Sequence, residues 1–343
     1  MDLATFRTKA LELAQASSHI VISAHYGPDD DSIGSVLSVY TILHGMFPEK
    51  DIRIIYTGDP VTRYSCFKAF EKIEWVEDIA EHLKDADLFI MLDVNRFNRV
   101  SRTVQEMPAI ANTICIDHHS NSVHDSFTLA LIDPTYTSNS ELIYRAFDAE
   151  AILTPELAEY ILLGVLGDTG NFRYIGPSQT EVFGVAKKLL EVSGVAISEF
   201  RSRYGGIPKE IIPLLQELVK NTTYKEIAGW PALQYSYISR EAVQQGNYTD
   251  EDISAASHIY ISQYLTQVVG YKWGFVITPR SNGACRISAR SLPGSVNVRD
   301  MHERMGVGAG HDRAAGGEFT DSNPEHCIET IFAWMYENTP VLK

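Results

Sequence analysis

In the N-terminal half of the chain, short β-rich apolar runs alternate with helical segments, and three of the apolar runs lead into aspartate or histidine. His19–Ser23, Ile52–Tyr56, Leu88–Leu92 and Thr113–Ile116 read as strands. They are rich in β-branched and aromatic residues and are bounded by polar or turn-forming ones. Between and after them, helical spacing covers Ser32 to about Met46, Ser140–Ala149 and Pro155–Leu166. Thr154 is placed to cap the last of these, with Pro155 at its first position. Ser178 and Glu181 have the spacing of a capping box for a further helix reaching Leu190. Strands alternating with helices predict an α/β fold whose N-terminal domain is a mostly parallel, doubly wound sheet with helices on both faces.

Around Val192–Pro213 the rhythm breaks at Gly194, the basic Arg201–Arg203 stretch, the Gly205-Gly206 pair and two prolines. A chain of 343 residues suits two domains, because single cores stop growing beyond about 250–300 residues. The expected division is 1–192 for the first domain, 193–213 for a linker and 214–343 for a smaller α/β domain. The second domain reads as a helix at about Pro208–Asn221, a strand near Leu233–Ser239, a helix at about Glu251–Val269, strands near Trp273–Thr278 and Cys285–Ala289, and a final helix over His326–Tyr336.

The net charge is −15, from 29 basic and 44 acidic residues. Binding to long nucleic acid is carried by many Lys and Arg contacts to phosphate, so long duplexes are disfavoured as partners. No apolar run approaches the ~20 residues that span a bilayer. The amphipathic, acid-containing start MDLATFRTKALELAQASS lacks the basic opening and apolar centre of a signal peptide. Cys66, Cys115, Cys285 and Cys327 stand far apart and form no CxxC pair, which argues against a thiolate metal knot or a disulfide framework. The expectation is a cytoplasmic protein with no membrane partner.

Each suspected strand is followed by residues that can hold a metal. His25-Tyr26-Gly27-Pro28-Asp29-Asp30-Asp31 follows the first, Asp93 follows Leu92, and Asp117-His118-His119 follows Ile116. Asp168-Thr169-Gly170 lies at the end of the Pro155–Leu166 helix. Singly, each has a plain structural explanation. An aspartate after a strand forms turns and caps, a His-His pair sits on many surfaces, and three aspartates suit a helix N-terminus. Together, carboxylates converging at one sheet edge would repel one another and raise their own pKa values. Divalent cations relieve that repulsion, and a carboxylate-dominated set with a few imidazoles suits Mn²⁺ or Mg²⁺. Two such ions side by side are a device for phosphate ester hydrolysis.

The order His-x-x-Pro-Asp-x-Asp, a later strand-end Asp, Asp-His-His and Asp-Thr-Gly resembles the DHH phosphoesterase superfamily. Within it, the chain is similar to the two-domain branch of nanoRNases, pAp phosphatases and cyclic-di-AMP or pApA hydrolases. Arg286-Ile287-Ser288-Ala289-Arg290-Ser291 and the segment Gly306–Gly317 around His311 resemble the substrate-binding DHH-associated domain. The resemblance runs from about His19 to Phe319.

The resemblance implies that His25 and Asp29 bind one metal, that Asp31, His118 and Asp168 bind a second, and that Asp93 bridges both. It implies two divalent ions, Mn²⁺ first with Mg²⁺ or Co²⁺ as alternatives. His119 would contact the scissile phosphate, and Asp117 would orient the neighbouring imidazoles. Arg286, Ser288 and Arg290 fall on one face if Cys285–Ala289 is a strand, and a guanidinium grips phosphate bidentately. Gly306, Gly308 and Gly310 leave little bulk before His311, so backbone N–H groups there could approach an anion.

Val307 and Ala309 interrupt a glycine run that relatives keep unbroken, and Tyr26-Gly27 stands where they carry a basic or polar residue. Arg99 follows Asp93 at a family-like distance, and Ser138-Asn139-Ser140-Glu141 matches a family helix start. The implied function is hydrolysis of small nucleotides or very short oligonucleotides (nanoRNA, pAp, pApA or cyclic di-AMP) in the cleft between the domains, with a homodimer compatible with the reading. The alternatives are a RecJ-like exonuclease on longer strands, a polyphosphate or pyrophosphate hydrolase, and a silent nucleotide-binding regulator.

Overall fold

A computed structural model of the chain describes residues 1–119 and 124–343. It divides into two compact units, Met1–Gly206 and Ile207–Lys343. Among the described residues no helix is long and apolar enough to cross a membrane.

The first unit runs α1 (Leu3–Ala16), β1 (His19–Ala24), α2 (Asp30–Met46), β2 (Asp51–Thr57), β3 (Ile73–Val76), β4 (Leu88–Leu92), β5 (Asn112–Asp117), β6 (Leu129–Ile132), α3 (Asn139–Ala146), α4 (Pro155–Asp168), α5 (Val182–Ser193) and α6 (Ile197–Tyr204). The strand order is β3-β2-β1-β4-β5-β6, and every neighbouring pair is parallel. The order reverses between β1 and β4. In open parallel sheets the crevice beyond the strand ends at such a reversal is where ligands bind.

Alternate residues of each central strand enter opposite cores. Ile20 and Ile22 of β1, and Leu88 and Ile90 of β4, pack with residues from all six α-helices. Val21, Phe89 and Met91 face the other way. That second face is covered by 3₁₀ turns at Ile79–Leu83 and Phe97–Arg99, not by the α-helices expected on both faces. One cause is Asp78, whose carboxylate takes the N–H groups of Arg102 (2.7 Å) and Thr103 (2.8 Å) that a helix would need.

The helices near the strand ends begin as their sequences dictate. Asp29 caps α2 through Ser32 N (2.9 Å), and Ser32 Oγ answers to Asp29 N (2.9 Å). Thr154 caps α4 through Leu157 N (3.2 Å). Ser178, in contrast, does not cap α5. Residues Pro177–Gln179 form a 3₁₀ turn in which Gln179 accepts from Gly176 N (3.2 Å), and α5 starts without a side-chain cap.

Helices α2 and α4 cross at glycines. A Cβ on Gly34 would lie 2.6 Å from Tyr160 O and 2.9 Å from Gly164 N, so only glycine lets the two backbones approach this closely. The stretch 193–213, expected as a linker, holds α6, whose Phe200 and Tyr204 are buried in the first unit's core.

The second unit runs α7 (Ile212–Lys220), β7 (Thr223–Lys225), β8 (Leu233–Tyr237), α8 (Arg240–Gly246), α9 (Asp250–Gln263), β9 (Trp273–Pro279), β10 (Cys285–Ser291), α10 (Val298–Met305), β11 (Gly308–His311), β12 (Ala314–Phe319) and α11 (Pro324–Glu337). Its mixed sheet has the order β11-β12-β10-β9-β8-β7, antiparallel except for the β8–β9 pair. Helix α9 stops at Gln263, short of the expected Val269, and the chain turns through Thr266 at φ 70°.

The glycine run forms a strand that ends at His311. A Cβ on Gly308 would lie 2.1 Å from Gly316 O, and one on Gly317 2.1 Å from Val307 O, so these glycines permit a tight β11–β12 hairpin. Val307, the apparent interruption, packs against the second unit's core.

A candidate metal centre at the sheet's switch point

The carboxyl ends of β1, β4 and β5 release His25, Asp93 and the pair His118-His119 side by side. Helix α2 brings Asp29 and Asp31, and the end of α4 brings Asp168. His25 Nε2 lies 3.6 Å from Asp29 Oδ2 and 3.5 Å from Asp93 Oδ2. His118 Nε2 lies 3.7 Å from Asp31 Oδ2, 3.4 Å from Asp93 Oδ1 and 3.0 Å from Asp168 Oδ2. Three groups therefore have ligand atoms within 4.8 Å of one another: His25, Asp29 and Asp93; Asp31, His118 and Asp168; and Asp93, His118 and His119. Asp93 directs one oxygen to each imidazole.

The Asp29 and Asp31 carboxylates are held from behind. Asp29 spends Oδ1 on capping α2 and turns Oδ2 to His25. Asp31 is fully buried; its oxygens accept Asn139 N (2.6 Å) and Ser140 N (2.9 Å), the first N–H groups of α3. A helix N-terminus is a natural seat for a carboxylate. Asp93 adopts φ 57°, a left-handed conformation uncommon outside glycine and found where the surroundings impose it.

Oriented so that both ends of its amide are satisfied, Asn139 donates to Ile116 O (3.0 Å) and accepts from Asp93 N (3.1 Å) and Ser35 Oγ (3.0 Å). Sequence reasoning missed this residue's part. Its only sequence signal was membership in the helix start Ser138–Glu141, where Ser138 does cap Glu141 N (3.0 Å). Asp30, the middle aspartate, points elsewhere and accepts from Arg63 and from Tyr64 OH (2.7 Å).

The electrostatics are those of a site built around positive charge. Burial, then Asp93 and Asp168, push the Asp31 carboxyl well above the usual carboxylate range. Burial likewise raises Asp168. Burial disfavours the charged forms of His25 and His118. Asp29 and Asp93 beside the first, and Asp168 and Asp93 beside the second, outweigh that and hold both imidazoles well above the ordinary histidine value. Burial also opposes ionisation of Asp93, yet His118, His25 and His119 together hold it far below its usual range.

Without a cation the cluster keeps its balance only by retaining protons, and a divalent ion does the same work directly. Asp93 Oδ1 and His118 Nε2 are buried and make no hydrogen bond, a deficit that a bound cation would remove. The residues fit a metal.

His119 Nδ1 lies 2.6 Å from Asp117 Oδ1. Asp117 meets His119 rather than both imidazoles, since His118 turns to Asp31, Asp93 and Asp168. In the second unit, Arg286, Ser288 and Arg290 lie on the β10 face opposite buried Cys285, Ile287 and Ala289. Ser288 pairs with Gly316 and Arg290 with Ala314 of β12, and Ala314 pairs in turn with His311 of β11. Directly paired residues share a face, so His311 stands on the face of the two arginines. Gly308 and Gly310 belong to the same strand as His311.

A wholly parallel α/β sheet with aspartates and histidines converging at its switch point defines a metal-site protein of the hydrolase type. Residues 19–165 match the DHH family, N-terminal domain. The chain is 26% identical to the bifunctional oligoribonuclease and PAP phosphatase NrnA of Thermus thermophilus, across 96% of this chain and 93% of that protein. It is also 26% identical to the cyclic-di-AMP phosphodiesterase PdeA of Listeria monocytogenes, across 90% of this chain and 46% of that protein. The crystal structure of an exopolyphosphatase-related protein from Bacteroides fragilis superposes with a TM-score of 0.81 at 21% identity, covering 97% of this chain and 96% of that one. Residues 19–165 thus carry the N-terminal domain of the DHH family, and the chain is similar to NrnA proteins over nearly its full length.

Proposed function

We propose that the chain hydrolyses phosphate esters of small nucleotides or very short oligonucleotides, with nanoRNA, pAp, pApA and cyclic di-AMP as the candidate substrates. The observation that carries this reading is the pair of His/Asp groups that meet at Asp93. His25, Asp29 and Asp93 would hold one divalent ion, and Asp31, His118, Asp168 and Asp93 a second, with Mn²⁺ the first choice. Two ions bound there would lower the pKa of a water and offset charge on the phosphate and the leaving oxygen.

The chain's own groups do the rest. Asp117 fixes the His119 ring through Nδ1, and the imidazole would stabilise charge as it grows on a phosphate oxygen. Asn139 and the start of α3 hold Asp93 and Asp31 in place, so little reorganisation is needed during the reaction. In the second unit, Arg286, Ser288, Arg290 and His311 offer one polar face to the nucleotide. Hydrolysis of pAp gives a mononucleotide and phosphate, that of pApA two mononucleotides, that of nanoRNA a mononucleotide and the shortened chain, and that of one ester of cyclic di-AMP the linear pApA. The preference for small substrates is supported by the net charge of −15 and by the activities for which the NrnA and PdeA relatives are named.

The test is a turnover panel of pAp, pApA, cyclic di-AMP and RNAs from dinucleotides to long oligomers, run with Mn²⁺. Fast turnover of the small members supports the reading. Equal rates on long RNA overturn the substrate preference. Absence of metal-dependent turnover on the whole panel and on bis-p-nitrophenyl phosphate overturns the enzymatic reading.

A further inference from the structure

Tyr26 follows His25 directly and carries two arginines against its ring. The Arg99 and Arg102 guanidinium carbons each lie 5.7 Å from the ring centroid, within the range at which a cation is held by an aromatic face. Among the described residues neither guanidinium is paired with a carboxylate, in a chain whose acids outnumber its bases by 15 (44 against 29).

The arrangement is held by its own supports. Tyr26 N donates to Arg99 O (2.8 Å), tying the loop after β1 to the turn after β4. The Asp78 carboxylate is occupied by other donors: it accepts Arg102 N (2.7 Å), Thr103 N (2.8 Å), Ser101 Oγ (2.7 Å) and Ala80 N (3.0 Å). Gly58, after β2, leaves the Arg102 guanidinium its place, since a Cβ there would lie 2.9 Å from Nη2. Tyr26, Gly58, Arg99 and Arg102 all follow the carboxyl ends of their strands, the edge that carries the metal centre. His25 Nδ1 lies 3.2 Å from Tyr26 O, so the two sites share a loop.

A ring face offsets only part of two positive charges, and a guanidinium fork matches the oxygens of a phosphate. We infer that Tyr26, Arg99 and Arg102 form an anion subsite that takes a substrate phosphate other than the one being cleaved. The inference rests on the phosphoesterase reading and refines it: the first unit itself selects substrates that carry a second phosphate.

The test compares Arg102→Gln and Arg99→Gln with the parent on pAp and pApA, and on bis-p-nitrophenyl phosphate, which has no second phosphate. Each substitution removes a charge-assisted contact, so KM for pAp and pApA should rise about tenfold with kcat within about twofold. KM for bis-p-nitrophenyl phosphate should rise less than about threefold. An equal rise on all three substrates, or no rise on any, overturns the subsite. If the parent hydrolyses none of them, calorimetric titration with pApA separates the two ideas. Binding that Arg102→Gln weakens about tenfold keeps the subsite while the phosphoesterase reading falls; equal or absent binding overturns the subsite as well.

Discussion

Asp31 and Asn139 are 108 positions apart in sequence, yet Asp31 Oδ2 accepts the Asn139 backbone N–H at 2.6 Å. The contact seats a buried carboxylate on the first turn of α3, while the Asn139 side chain reaches Asp93 N. One residue thus steadies two of the six groups proposed to hold metal.

Removing the Asn139 side chain should loosen Asp93, whose left-handed backbone N–H it shares with Ile116 O. Asn139→Ala is expected to weaken Mn²⁺ binding by about 10- to 100-fold, the usual effect of losing a group that orients a ligand. Calorimetric titration of the metal-free protein reads this, and an unchanged affinity would contradict it.

Gly34→Ala tests the α2–α4 crossing. Its methyl would meet Tyr160 O at 2.6 Å and Gly164 N at 2.9 Å, and backbone atoms give way only if the helices part. The variant should lose about 1–3 kcal/mol of stability, as overpacked cores do. Because the crossing helices carry Asp31 and Asp168, metal affinity should fall with it. Urea unfolding and metal titration on the same sample check both; a stable variant with reduced affinity would mean the crossing matters only for the site.

His302 gives the second unit its own pH dependence. The ring is buried, donates from Nδ1 to Val298 O (2.7 Å), and leaves Nε2 without a partner. Burial lowers its pKa to about 4, and nearby Arg290 adds to that. The unfolded chain, with an ordinary histidine, binds the proton first, so stability falls as pH drops from about 6.5 towards 4. His302→Gln should flatten that part of the stability-against-pH curve. A variant with the parent's slope would show that other groups set the acid sensitivity.

Much of the first unit was legible in the sequence because its signals are local. Leu88–Leu92 is a continuous apolar run, as a strand buried on both faces requires. Thr154-Pro155 marks the start of α4 by its own chemistry. The candidate ligands were legible for the same reason: His25, Asp93, His118 and His119 each interrupt the chain where an apolar strand ends.

What escaped depends on contacts distant in sequence. The Gly308–His311 strand has no alternating side-chain pattern, and only the close approach of Gly316 and Gly317 makes it one. Edge strands Ile73–Val76 and Leu129–Ile132 are too short to signal themselves. Ser178 has the spacing of a cap, but Gln179 closes the preceding turn and α5 begins later. Asn139 looked like part of a helix start because nothing local announces Asp31 and Asp93 as its neighbours.

Metal removal offers a separate check on the cluster's charge balance. An ion that binds only the folded chain stabilises it by about 2.7 kcal/mol at a concentration 100 times its Kd. Adding a chelator to protein in saturating Mn²⁺ should therefore lower the thermal midpoint by several degrees. The shift should shrink in His118→Ala, which loses the imidazole lying between Asp31, Asp93 and Asp168. An equal shift in that variant would place the bound ion elsewhere.

The shared carboxylate is the centre of the account, and asparagine at position 93 tolerates the left-handed backbone that Asp93 adopts. The direct measurement is hydrolysis of pApA and of bis-p-nitrophenyl phosphate by parent and Asp93→Asn, each with Mn²⁺ and with chelator, on samples shown to be folded. The parent should turn over both substrates only with metal, and Asp93→Asn should lose at least about 1,000-fold, a barrier change of about 4 kcal/mol. Full turnover by Asp93→Asn, or parent activity that survives the chelator, would contradict a metal centre built on Asp93.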